Sequence, residues 1–261
     1  MHNGLVSQSP DCVVSRETAI GKDARLSWVL AWLAGMIGAV AFLHSAGYFV
    51  TFMTGNTERA VLGNYPIADR QKVSGAGAAA AAQLIIMFVL GTFVASCLRR
   101  RLWKQHPHGA TVLTTIGLLL ATAVEFAEKG FYYQEVNFTG ILIIAFSVGA
   151  LNTSWVKNGE VSVPLSYVTG TLVKMGQGLE RHICGRGTIF DWLGYAALYS
   201  AVLLGAATGG LLAEYITGPQ LIGTVGIICG ITTIYMFFKV DRVPASAPEP
   251  TDSASHPVSA G

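Results

Sequence analysis

An all-α integral membrane protein is the fold class this sequence predicts, with six transmembrane helices arranged as two inverted three-helix repeats. Three observations predict it. Charged residues are 12% of the 261, about half the share usual in soluble domains, while 52% are hydrophobic and the mean hydropathy is +0.50. Six stretches run long without charge. One sequence pattern occurs twice, about 115 residues apart. A water-facing globular enzyme of this size needs far more charge on its surface. A net charge of +2 offers nucleic acid no general attraction.

The charge-free stretches are 28–50, 77–98, 110–124, 138–156, 192–213 and 221–238. About 20 apolar residues cross the ~30 Å hydrocarbon core as a helix. Helices are required because open strands leave backbone groups unbonded in lipid. Lys and Arg orient the spans. With a cytoplasmic N-terminus, the inner side holds Arg16, Lys22, Arg25, Arg99, Arg100, Arg101, Lys104, Lys157, Lys174, Arg181, Arg186, Lys239 and Arg242. Arg59, Arg70, Lys72 and Lys129 fall outside. That asymmetry favours an even number of crossings and cytoplasmic termini. Residues 1–25 read as a cytoplasmic tail without the apolar run of a signal peptide. The two repeats occupy 26–130 and 131–240, and the Pro/Ser/Ala-rich 241–261 read as a disordered tail.

The repeated pattern starts at Gly35 and again at Gly149, and reaches a Thr-Gly step at Thr54-Gly55 and at Thr169-Gly170. Aromatic and β-branched residues precede both steps. Extended-favouring residues followed by Thr-Gly and a helix-compatible run predict a broken span. Thr is a good N-cap, Gly lets the backbone bend, and an exposed helix N-terminus carries about half a positive charge. A period of three crossings inverts the second copy, as in transporters whose broken helices meet near the midplane.

The segments FVTFMTGNT (Phe49–Thr57), YVTGTL (Tyr167–Leu172), GALN (Gly149–Asn152) and KNG (Lys157–Gly159) resemble the YoaK family of bacterial membrane proteins, catalogued as a domain of unknown function. The resemblance spans about residues 28–240. It implies about six inner-membrane helices and no established activity. Family members usually carry an acidic residue in the first span, in a Gly-x-x-Asp-Ala context, where this chain has Gly38. A proton-coupling role resting on that carboxylate is therefore not implied for this chain.

The candidate binding residues are Thr54, Gly55, Asn56, Asn152, Thr169, Gly170, Thr171 and His44. His44 is an ionisable group inside a span, and Asn152 can hydrogen-bond across helices. Glu125, Glu128 and Glu135 read as a solvated outer cluster. GAATG (205–209) and GIICG (226–230) predict close packing of spans five and six, or a homodimer. The four cysteines form no CxxC pair and read as free thiols. HExxH, GxSxG, P-loop and GxGxxG motifs are absent, so no enzyme, metal or cofactor is expected. The functional expectation is a permease or channel-like protein for a small polar or anionic solute. The alternative is a non-transporting scaffold.

Overall fold

A computed structural model describes residues 22–45, 47–63, 77–103, 108–130, 132–154, 156–157, 160–161 and 167–239. Most of both predicted tails, together with Ser166 and Lys104, lies outside the described residues.

Helix α1 is Lys22–Leu43 and α2 is Met53–Leu62. Helix α3, Ala78–Leu98, passes into a π-helical turn at Arg99–Trp103. Then come α4, His108–Lys129, and α5, Phe138–Leu151. The two-residue strands β1 (Val156–Lys157) and β2 (Glu160–Val161) pair antiparallel. Helices α6 (Val168–Ile183), α7 (Phe190–Ala213) and α8 (Gly218–Lys239) complete the chain. Five helices have the length and composition to cross a membrane: α1, α3, α4, α7 and α8. Apolar α5 spans only about 21 Å at 1.5 Å per residue.

Three of the predicted boundaries move. The first span ends at Leu43 rather than Val50, because the chain turns through Gly47 at φ 73°. The third runs on to Lys129, through Glu125. The fourth stops at Leu151, where three successive side chains bond back to carbonyls of the last turn, beside the backbone N–H groups that also reach them. Asn152 Nδ2 donates to Val148 (2.9 Å), Thr153 Oγ1 to Ala150 (2.8 Å) and Ser154 Oγ to Leu151 (2.7 Å).

Packing sets α1 against α7, α5 against α3, and α4 against both α8 and α5. Glycines permit the closest approaches. A Cβ on Gly35 would overlap the carbonyl of Val202, and one on Gly205 that of Trp32. Gly149 meets Phe88 in the same way, and Gly91 meets Phe146. On α8, Gly223 and Gly230 face Thr122 and Thr115 of α4. The glycines expected between spans five and six, or at a dimer contact, are thus taken up by α1 and α4 of the same chain. Leu30, Leu33, Met36, Ile37, Ile141, Ile144, Leu221 and Ile222 fill the core.

The two short amphipathic helices lie along longer ones. Helix α6 runs antiparallel to α7: Gly178 abuts Asp191 and Trp192, and Lys174 Nζ sits 5.7 Å from the Tyr195 ring. Helix α2 packs on α3, with Gly63 against Ala78.

Candidate functional site

The first break, 44–52, is stitched together by side chains from both flanking helices. Ser45 Oγ donates to Ala41 O and accepts from Tyr48 N. From α2, Asn56 Nδ2 donates to Phe49 O (2.5 Å) and Arg59 Nη1 to Gly47 O (2.8 Å). Arg59 also lies 4.7 Å from the Phe49 ring, a cation–π distance. Phe49 stacks on Phe42 and meets Phe52 edge-on. Carbonyls that lost their helical partners are satisfied by polar groups one turn into the next helix, which fixes where that helix starts.

It starts earlier than the Thr-Gly step suggests. The residue before α2 is Phe52 (φ −110°, ψ 76°), and the residue before α6 is Tyr167 (φ −86°, ψ 63°); neither helix has a side-chain cap. Both residues lie near the inverse γ-turn region, outside helical geometry. Thr54 and Thr169 therefore fall inside the first turn instead of capping it, and both are exposed. Gly55 lies near Phe49, and Gly170 leaves room for the Tyr167 ring. Asn56 and Thr171 are buried, and Thr171 Oγ1 donates to Tyr167 O (3.1 Å).

A cavity of about 310 Å³ lies beside these breaks. Its walls are Ala34, Gly35, Gly38, Ala39, Phe42 and Leu43 of α1, then Phe49, Thr51 and Phe52 of the break. Val202 and Ala206 of α7 and Val168, the first residue of α6, complete it. The start of each short helix thus meets one space. Small residues on α1 make the room and aromatic rings close it. Thr51 supplies a hydroxyl, close to where a Cβ on Gly38 would stand. Ala206 is exposed, so the cavity opens sideways between α1 and α7.

Of the sequence candidates, Thr54, Gly55, Asn56, Thr169, Gly170 and Thr171 surround the helix starts without lining the cavity. Asn152 ends α5. His44 points elsewhere: its Nδ1 bonds Gln134 O (2.8 Å) in the α4–α5 connection. The cavity residues Gly38, Phe42, Thr51 and Ala206 were not singled out as binding residues. Only the internal position of Gly38 on the repeat offered a signal. Glu125, read as solvated, is fully buried. Its carboxylate takes the Asn137 N–H at 3.0 and 3.1 Å, so it holds the N-terminus of α5. Among the described residues no three His, Cys, Asp or Glu gather as metal ligands.

Residues 26–235 match a family described as "Protein of unknown function (DUF1275)". The UPF0700 transmembrane protein RA0705 of Rhizobium meliloti (strain 1021) is 31% identical over 183 residues, covering 68% of this chain and 72% of that protein. No solved structure matches.

Proposed function

The chain belongs to the DUF1275 family, and from that premise we propose that this multi-pass membrane protein is a carrier of small amphipathic anions. Its two halves are inverted repeats that meet at the broken helices. The solute's apolar body occupies the space between α1 and α7, and its charged head faces the uncapped starts of α2 and α6.

The observation that carries this reading is the convergence of Phe52 and Val168 on one cavity. The repeat reading is supported by a reciprocity of contacts. Gly35 against Val202 and Gly205 against Trp32 are mirrored by Gly149 against Phe88 and Gly91 against Phe146. The equivalent positions are all 114 residues apart: Gly35 and Gly149, Gly91 and Gly205, Trp32 and Phe146, Phe88 and Val202. The partner of α1 is the last-but-one helix, and the partner of α5, its counterpart, is α3. Such a swap is what a two-fold axis in the membrane plane produces. The apolar walls argue against a solute that is polar throughout, because its polar groups would lose water without gaining partners.

The test is thermal unfolding of the purified protein with medium-chain carboxylates, their neutral amides and inorganic anions, alongside uptake into proteoliposomes. A carried solute stabilises the folded protein by mass action, by about 2.7 kcal/mol at a hundred times Kd, and so raises its melting temperature. The carboxylates should stabilise and the matched amides should not. Ala206→Trp, placed at the open rim, should abolish the shift while leaving the unliganded protein as stable as before. A melting temperature unmoved by every solute, with no uptake, overturns the carrier reading and leaves the scaffold.

A further inference from the structure

The Gln134–Asn137 connection is a strap tied to three neighbouring helices. His44, just past α1, accepts Val136 N on its carbonyl (2.6 Å) and bonds Gln134 O through Nδ1. Gly218 N of α8 also reaches Gln134 O (3.3 Å). Glu125 of α4 takes Asn137 N with both carboxylate oxygens. Glu125 is fully buried one turn from the end of a membrane-crossing helix, yet Gln134 and Glu135 beside it are exposed. A buried carboxylate in a span is costly and is retained where it does work. Here the work is visible: the charge faces the first turn of α5, and Gly140 leaves the space for it.

We propose that Glu125 is a proton-operated clasp between α4 and α5. As a carboxylate it grips the Asn137 N–H with both oxygens. On taking a proton from water at the strap it becomes a neutral acid, and the grip weakens to that of one carbonyl oxygen. The charged groups around it are Glu128, itself held by Asn137 Nδ2 (2.7 Å), and Lys129. From α1, His44 shares the strap, and its buried Nε2 has no partner among the described residues. The strap reaches the cavity through the residues preceding His44, Phe42 and Leu43, which line it. The clasp does not depend on the carrier reading, and its test uses no solute.

Two measurements on the full-length protein in nanodiscs test it. The first is amide exchange at Asn137 and Phe138 in wild type and E125Q, compared at equal pH. Wild type should be protected roughly tenfold more at alkaline pH, and the ratio should fall towards one as the pH is lowered through the acid range. The second is pH-difference infrared spectroscopy. Acid should raise a carbonyl band of a buried carboxylic acid in wild type and in E128Q but not in E125Q. A protection ratio constant across that range, or a band that survives E125Q, overturns the clasp and leaves a fixed tie. If E125Q fails to fold, E125D decides: its shorter acid must shift the band, and an unmoved band overturns the proposal.

Discussion

At the scale of single residues, two helices in this bundle come as near as backbone allows only where one side chain is missing. A methyl on Gly35 would overlap the Val202 carbonyl, and one on Gly149 the Phe88 carbonyl. Neither obstacle is the flexible tip of a side chain, so the helices themselves must separate. Gly35→Ala and Gly149→Ala should each cost about 1–3 kcal/mol, the usual scale of overpacking. Gly176, inside α6, has nothing within 4 Å of a Cβ. There alanine should gain about 0.5–1 kcal/mol by restricting the unfolded chain. Melting curves of the three variants in one detergent check this, and equal behaviour of Gly35→Ala and Gly176→Ala would refute the seam. The value of Glu125 also lies at this scale. Sequence places it at the fading end of an apolar run and cannot show that another helix brings its N-terminus there.

At the scale of elements, the breaks are made by hydrogen bonding as much as by glycine. Thr153 and Ser154 are buried and bond the Ala150 and Leu151 carbonyls, which also accept those residues' own N–H groups. Thr208 makes the same kind of bond to Leu204 on α7, but there the bond is exposed. Replacing Thr153 by Val with Ser154 by Ala should therefore cost about 0.5–1.5 kcal/mol per lost buried hydrogen bond. Thr208→Val should change little. A double variant melting with wild type would mean that other groups end α5. Charge gaps located α3, α7 and α8 closely, since lipid tolerates few charges along a span. They overshot α1 and α5 because His44–Ser45 and Asn152–Ser154 carry no net charge and look apolar enough to continue. The cavity was not legible, because its walls come from α1, α6 and α7, far apart in the chain.

At the scale of the whole molecule, the proposed inverted halves require α5 and α6 to form one passage: α5 would enter from the outer side, and α6 would leave along α7 toward the inner side. The end of α6 and the end of α4 must then face opposite compartments. Cys184, the residue after α6, is a free, exposed thiol, and Lys129 ends α4 in the open. With the other cysteines replaced by serine, a membrane-impermeant maleimide should reach Cys184 only in inside-out vesicles. In a Cys184→Ser background, K129C should be reached only in right-side-out cells. The Cys184 thiol carries its own control. A hydrogen bond to Glu180, and that carboxylate's charge, hold it above the ordinary thiol range. Less thiolate then exists at a given pH, so labelling is slower than for a free thiol and rises as the pH is raised. Glu180→Gln removes the charge and should speed labelling at neutral pH without changing the side from which it occurs. Labelling of both positions from one side would leave an even number of passages between them, and the inverted halves could not stand.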